Sequence, residues 1–223
     1  MLFALFPRLT LSTLIARIIV LVTAIPVHEY AHAWAAEKMG DPTARFRKRL
    51  SLNPLDHIDP IGALMILLLG VGFARPVPIN SLNFKNRKKG IVVTSLAGPA
   101  SNVLMALLSL IVYKLLLIPY FGLQLDFLRV VLNILSYMVS INLSLAVFNL
   151  LPIPPLDGWH AISQALPASV YWKIAPYEQQ IVWVVLILVV LGVFDLPLSL
   201  MTDLLFTLMD KITFFLDLLV YLV

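Results

Sequence analysis

The amino-acid sequence predicts an all-α polytopic membrane protein built around three long helices that cross the bilayer. Of its 223 residues, 61% are hydrophobic and 13% are charged, and the mean hydropathy is +0.95. Soluble domains of this length are far more polar. Residues 130–151 carry no charge, and residues 91–118 carry one, at Lys114. Each run exceeds the roughly 20 residues that cross a bilayer as a helix.

The three predicted spans are residues 9–36, 91–118 and 128–151. In the first of them, Arg17 is the only charged residue before position 28. Because proline lacks an N–H group and restricts the residue before it, the second span should end at Pro119 and Gly122, and the third at the prolines that follow it. No signal-peptide cleavage pattern is present, so the first segment is expected to remain as a span.

A weaker pair of C-terminal helices is predicted beyond the third span. Residues 181–194 form an apolar run of only 14 residues. Residues 197–223 are apolar but carry aspartates seven positions apart, which a helix places on one face. These aspartates are Asp203, Asp210 and Asp217. We interpret the last segment as an interfacial or oligomer-packing helix, with a homo-oligomer as an open alternative.

A short apolar stretch, residues 61–73, is predicted to enter the membrane and return on the same side. Its 13 residues are too few to cross. Five basic residues precede it in 37–60 and five follow it in 74–90. Basic loops collect on the cytoplasmic face, so both loops should lie there. The first span then runs from outside to inside.

The basic clusters are interpreted as markers of topology, and no nucleic-acid partner is expected. Residues 45–49 and 85–89 hold eight of the sixteen basic residues, although the net charge is only +4. Beside membrane spans such clusters face the cytoplasm and the lipid headgroups. The chain has no cysteine, which excludes disulfides and thiolate metal ligands.

The motif HEYAH, residues 28–32, predicts a metal site at the cytoplasmic end of the first span. His28 and His32 are four residues apart and share one helix face, so both imidazoles can reach one metal ion. Glu29 lies about 100° further round the helix, near the ligand pair but outside it. In metallopeptidases this arrangement holds zinc, and the glutamate accepts a proton from water. A polar cluster inside a span is a functional site by default.

A catalytic zinc needs a third protein ligand. Without cysteine the candidates are other histidines, glutamates and aspartates: His57, His160, Glu37, Glu178 and Asp157 among the aspartates. Asp157 follows three prolines in four positions, which cannot continue a helix. Irregular backbone at membrane depth is tolerated inside protein, so this segment could turn inward and present Asp157 to the metal. The alternative is an ordinary surface turn.

Three motifs resemble the site-2 protease family of intramembrane zinc metallopeptidases. They are HEYAH, then GPASN at 98–102, then NLLPIPPLDG at 149–158, in that order. LSLNPLDHIDPIGALM and RPVPIN also resemble shorter members of the family. The resemblance covers about residues 15–165. It implies a three-helix catalytic core, which we place in residues 1–165, followed by the predicted C-terminal membrane helices in 166–223. The sequence departs from better-known members, since we expect no PDZ domain between its spans and no CBS domain after them.

The same resemblance implies a role for each motif residue. It makes Glu29 the general base and gives each chain one zinc ion. It assigns the zinc ligands as His28, His32 and Asp157. Asn149 matches a position that stabilises the oxyanion or positions substrate. Asn102 matches a position that is structural or faces substrate.

Residues 74–84 are predicted to receive the substrate as an extended strand. Pro76 and Pro78 exclude helix there, while Val77 and Ile79 supply apolar contacts. A free strand edge could pair with a peptide by β-augmentation. The alternative is a plain cytoplasmic loop.

The sequence therefore predicts a multi-pass cell-membrane zinc endopeptidase. Its active site should lie toward the cytoplasmic side, and its substrate should be a membrane protein or peptide within or beside the lipid bilayer. The rival is a non-proteolytic membrane transporter or metal-binding scaffold. Glu29 argues against the rival, because a scaffold needs metal ligands but no base.

Overall fold

The computed structural model describes residues 10–69 and 72–220. Within these ranges the regular structure is helical, with twelve α-helices, two short 3-10 helices and no strand. Leu9 of the first predicted span, Gly70 and Val71 of the re-entrant stretch and residues 221–223 of the last segment lie outside the described residues.

The first span consists of two stacked helices, α1 (Leu11–Val22) and α2 (Ala24–Met39). Together they are long and apolar enough to cross a membrane. The break between them falls at Thr23, three residues before Pro26, which has no N–H to continue the hydrogen-bond ladder. The motif HEYAH therefore begins in the second turn of a new helix. Gly40 ends α2 with a left-handed φ of 113°, which favours glycine.

The stretch predicted to be re-entrant forms a helix, after which the chain returns to the start of that helix. After the short helices α3 (Thr43–Phe46) and α4 (Pro54–His57), α5 (Pro60–Leu69) runs along the first span. The chain then comes back, and the N–H of Arg75 donates to the carbonyl of His57 over 2.8 Å. Both ends of the excursion thus lie side by side.

Two glycines allow this return. A Cβ on Gly62 would lie 2.9 Å from the carbonyl carbon of Phe73, and a Cβ on Gly72 would lie 3.1 Å from that of Gly62. Arg17, the lone charge of the first span, donates to the carbonyls of Leu67 and Leu68 over 2.8 and 3.2 Å. It thereby satisfies carbonyls at the C-terminal end of α5, which water cannot reach in a bilayer.

The second and third spans are α6 (Arg87–Leu123) and α7 (Asp126–Asn149). The prediction that Pro119 ends the second span is wrong, because α6 continues through Pro99 and Pro119 to Leu123. Proline is tolerated inside membrane helices, where local adjustment and neighbouring helices satisfy the freed backbone groups. The third span packs against the first at Ala16 and Ala24, small residues with almost no exposure, which form a cluster with Ile141 of α7.

Five further helices follow the third span, and three of them pack on the second or the third span. They are α8 (Asp157–Ser163), α9 (Ala168–Ile174), α10 (Glu178–Val190), α11 (Asp195–Ile212) and α12 (Phe214–Val220). Helix α8 packs on α6, α11 on α7 and α12 on α6. The amine of Lys114, buried in α6, lies 2.7 Å from carboxylates of both Asp210 and Asp217. Two of the three predicted same-face aspartates thus attach the C-terminal helices to the second span.

Candidate metal centre

Three side chains from distant parts of the chain converge beside α6. The Nε2 atoms of His28 and His32, one turn apart on α2, lie 3.0 Å from each other. Oδ2 of Asp157, the first residue of α8, lies 3.3 Å from the first nitrogen and 3.2 Å from the second. Within the described ranges this is the one group of three or more histidines or acids that could hold a metal ion.

The opposite ring nitrogens fix the tautomer of both histidines. Nδ1 of His32 donates to the backbone carbonyl of Thr94 over 2.7 Å, and Nδ1 of His28 donates to Oδ1 of Asn102. Since a neutral imidazole has one N–H, both Nε2 atoms carry lone pairs directed at each other. Metal-binding histidines are held by partners of this kind on their second nitrogen.

The residues present fit a zinc ion. Two nitrogen lone pairs and a carboxylate oxygen face one another, and the buried Oδ2 of Asp157 accepts no hydrogen bond from the described residues. Such an arrangement is repulsive unless a cation joins the three atoms. The absence of a side chain at Gly98 also favours a metal ion here. A Cβ at this position would lie 2.6 Å from Nε2 of His28 and closer still to Nε2 of His32. Two histidines and one carboxylate form a catalytic zinc set that keeps a further position open.

The segment after α7 carries Asp157 inward, as the proline-rich motif predicts. The chain leaves α7 at Asn149, and residues 150–156 turn back without helix. Gly158 lies against this turn, where a Cβ would come within 2.5 Å of the carbonyl carbon of Leu150. Helix α8 is fixed by the indole N–H of Trp159, which donates to Glu178 over 3.2 Å. The turn thus places a carboxylate beside the two histidines without a long loop.

The carboxyl of Asp157 is partly buried, which by itself disfavours its charged form. A metal ligand has to be ionised, and a cation between Asp157 and the two histidines would favour that form.

Glu29 is largely buried and touches the predicted substrate segment. Its Oε2 accepts a hydrogen bond from the backbone N–H of Val77 over 3.0 Å. Its second oxygen has no hydrogen-bond partner within residues 10–69 and 72–220. Glu29 and the three converging side chains line the same cavity, of about 1120 Å³.

Comparison with known proteins identifies the class of this chain. A relative named "Putative zinc metalloprotease YwhC", from Bacillus subtilis, is 39% identical over 179 residues, which cover 78% of this chain and 81% of that protein. The chain belongs to peptidase family M50. The family profile itself matches residues 124–193, which include Asp157.

A second relative agrees with this placement. "Putative zinc metalloprotease Rip2" of Mycolicibacterium smegmatis is 34% identical over 171 residues, which cover 74% of this chain. The M50 chain spans 61% of the length of that relative. No solved structure matches the sequence. The resemblance to site-2 proteases is confirmed, and this M50 peptidase is a zinc metalloprotease of the site-2 protease type.

The other candidate ligands of the M50 peptidase lie away from the cluster. His57 is fully buried, and its Nε2 donates to the carbonyl of Ser51 over 2.7 Å. His160 lines the cavity but is not among the three converging residues. Glu37 pairs with Arg45 at 2.6 Å, outside the site.

The predicted substrate residues divide into two groups. Pro76, Val77, Ile79 and Asn149 line the cavity, whereas Pro78 is not among its lining residues. Asn102 also lines it, but the side chain is 1% exposed and engaged on both sides, by His28 and by the amide of Asn142. Of the two roles left open for Asn102, these contacts favour the structural one.

Sequence reasoning missed Asn142 and Thr94. Asn142 is fully buried in α7, receives the amide of Asn102 over 3.2 Å and donates to the carbonyl of Met138 over 2.9 Å. Its position among apolar residues of a span was a usable signal, since a buried amide in a membrane helix needs a partner. Thr94 acts through its backbone carbonyl, which no side-chain pattern reveals.

Proposed function

We propose that this M50 peptidase is an intramembrane endopeptidase that cuts membrane-embedded or membrane-adjacent peptides near the cytoplasmic face. One zinc per chain is held by His28, His32 and Asp157, and Glu29 is the general base. The observation that carries the proposal is the convergence of three lone-pair atoms in a cavity that also contains a glutamate carboxylate. A scaffold or transporter would require the ligands but not the acid–base group.

Glu29 moves the protons of the reaction. When bound, zinc supplies Lewis acidity, which favours ionisation of water and polarises the scissile carbonyl. Glu29 accepts the proton of the attacking water and passes it to the leaving amine. The hydrogen bond from Val77 occupies one carboxylate oxygen and fixes the side chain. The other oxygen remains for the water.

The amide of Asn149 is suited to stabilise the developing oxyanion. It lies at the last residue of α7 and lines the cavity. Its Nδ2 donates to the carbonyl of Leu145 over 2.9 Å, which uses one of the two N–H bonds of the amide. The second N–H is available to a substrate oxygen, as an oxyanion donor must be.

The extended segment that follows α5 is suited to pair with substrate. Arg49 donates to the carbonyls of Arg75 and Pro76 over 2.8 and 3.3 Å, while Val77 donates to Glu29. The N–H of Ile79 has no acceptor within the described ranges. A peptide strand could therefore add at Ile79 without breaking a contact of the protein.

Asp41 holds the far end of this segment. Its buried carboxylate accepts hydrogen bonds from the N–H of Asn80 over 2.6 Å and the amide of Asn83 over 2.8 Å, and from Thr43. Burial raises the pKa of Asp41, but these hydrogen bonds together outweigh it and lower the pKa. The carboxylate is thus an ionised anchor that keeps the segment extended.

Both basic loops support a cytoplasmic position for the site. The hairpin formed by α5 and its return brings residues 37–60 and 74–90 to the same end of the molecule. His28 and His32 lie about 16 and 10 Å from that end, at 1.5 Å per helical residue up to Met39. Basic loops mark the cytoplasmic face.

The experiment that tests the function compares two glutamate variants of one helix. Wild-type protein in liposomes should cleave a synthetic transmembrane peptide that carries Gly-Pro near its centre. Glu29→Gln should retain zinc but lose at least about 10²-fold in turnover. Glu37→Gln, which breaks only the pair with Arg45, should cleave normally. Zinc-loaded wild-type protein that cleaves no membrane peptide would favour the scaffold.

A further inference from the structure

The cavity of the metal centre has two chemically different ends. About one turn beyond the zinc ligands, on the side of Asn102, the lining includes the apolar residues Ile25, Ile66 and Leu145, of which Ile66 packs with Ile25. At the other end the lining includes Arg87 and Lys88, in the first turn of α6. Polar and aromatic residues of α8 and α9 also line the cavity: His160, Gln164, Tyr171 and Trp172.

The basic end is not neutralised by the protein. Arg87 and Lys88 are exposed and form no ion pair within the part of the chain that the structure describes. Among the lining residues the carboxylates are Glu29 and Asp157, which lie at the metal. Their two formal charges balance those of a zinc ion. Arg87 and Lys88 therefore leave the loaded cavity with a net positive charge.

Topology alone does not require this arrangement. The basic cluster at 85–89 contains four cations, and any of them marks the cytoplasmic face. Lys85 and Lys89 are exposed as well but are not among the residues that line the cavity. Two cations of the cluster therefore line the cavity and two do not. A contact with substrate would involve only the first pair, whereas a role in topology would involve both pairs.

We propose that this cavity selects peptides with acidic residues about four to six positions from the scissile bond, on the side that faces Arg87 and Lys88. The spacing follows from geometry. Lys88 lies ten residues before Gly98, so about 15 Å of helix separates it from the metal cradle. An extended peptide covers that distance in about five residues, at roughly 3.3 Å each.

The two ends of the cavity suit one kind of substrate. In such a substrate an apolar stretch would contact the apolar part of the cavity, on the side of Asn102. The scissile bond would lie at the metal, and the acidic residues would contact Arg87 and Lys88. The inference deepens the proposed endopeptidase function and rests on it. The attraction between opposite charges of an enzyme and its substrate contributes to selectivity, and salt weakens that attraction.

The test uses three synthetic transmembrane peptides that differ only five positions from the cleavage site, where they carry Asp-Asp, Asn-Asn or Lys-Lys. Zinc-loaded protein in phosphatidylcholine liposomes should cleave the Asp-Asp peptide with a kcat/KM on the order of ten-fold above the Lys-Lys peptide. Arg87→Glu/Lys88→Glu should reverse that preference. Lys85→Glu/Lys89→Glu, with the same change in charge, should keep it.

The outcomes separate this inference from the function on which it rests. Equal cleavage of all three peptides by the wild type would overturn the inference and leave the endopeptidase intact. The same loss of preference in both double variants would also overturn it, because a diffuse surface potential would then be the cause. If phosphatidylglycerol accelerates all three peptides equally, the cations bind lipid headgroups instead. If no peptide is cleaved, the proposed function itself is contradicted.

Discussion

The backbone N–H of Val77 donates to Oε2 of Glu29 over 3.0 Å, between residues 48 positions apart in the chain. This bond joins the HEYAH motif of the first span to the extended segment after α5. Because Val77 uses its N–H in this way and Pro78 has none, Ile79 is the next residue able to donate to a peptide strand. The group proposed to move protons and the group proposed to hold substrate are therefore adjacent.

The first prediction concerns Gly98. A methyl group at this position would occupy the space between the two Nε2 atoms. Gly98→Ala should therefore lower bound zinc and abolish cleavage, as metal analysis and peptide assays would show. Gly122→Ala is the matched control on the same helix, since a Cβ there meets nothing within 4 Å. Normal zinc and normal turnover in Gly98→Ala would contradict the position of the metal.

The second prediction concerns Asn102. Loss of a partner that orients a metal-bound histidine typically costs about 10–100-fold in metal affinity or activity. Asn102→Ala should weaken zinc binding in this range, measured by competition with a chelator. Asn133→Ala, an exposed asparagine of α7, should not change it. An unchanged zinc affinity in Asn102→Ala would mean that His28 needs no such support, and a substrate role for Asn102 would return.

The third prediction concerns the free N–H of Ile79. Ile79→Pro removes this donor, so kcat/KM for a membrane peptide should fall while bound zinc is unchanged. Ile79→Ala shortens the side chain but keeps the N–H, and it should retain more activity than the proline variant. Equal activities of the two variants would show that the backbone donor does not hold substrate.

The fourth prediction concerns topology. The chain has no cysteine, so single cysteines can be labelled without background. Arg47→Cys and Lys89→Cys should react with an impermeant reagent from the same, cytoplasmic side, because α5 returns to the side from which it enters. Leu125→Cys, between α6 and α7, should react from the opposite side. Labelling of Arg47→Cys and Lys89→Cys from opposite sides would show that α5 crosses.

Local sequence patterns were sufficient to predict those features of the structure whose geometry depends on one short motif. Four-residue spacing on a helix brings His28 and His32 together whatever surrounds them. The prolines before Asp157 force a turn, and the turn carries the carboxylate inward. The short apolar stretch between basic loops likewise predicted the re-entrant helix.

Features that depend on distant partners were not readable from these patterns. Helix α6 passes through Pro119 because neighbouring helices and local adjustments satisfy its backbone, which the proline itself does not reveal. The role of Arg17 depends on carbonyls 50 and 51 residues away. Asn142 becomes meaningful only when Asn102 and His28 are placed beside it.

The zinc content of the purified protein tests the central claim most directly. Elemental analysis should find about one zinc per chain in the wild type and a clear loss in Asp157→Ala, because two histidines alone form an incomplete site. Asp195→Ala, at the start of α11 and outside the cavity, should retain the ion. If Asp157→Ala binds as much zinc as the wild type, the assignment of His28, His32 and Asp157 as the ligand set is wrong.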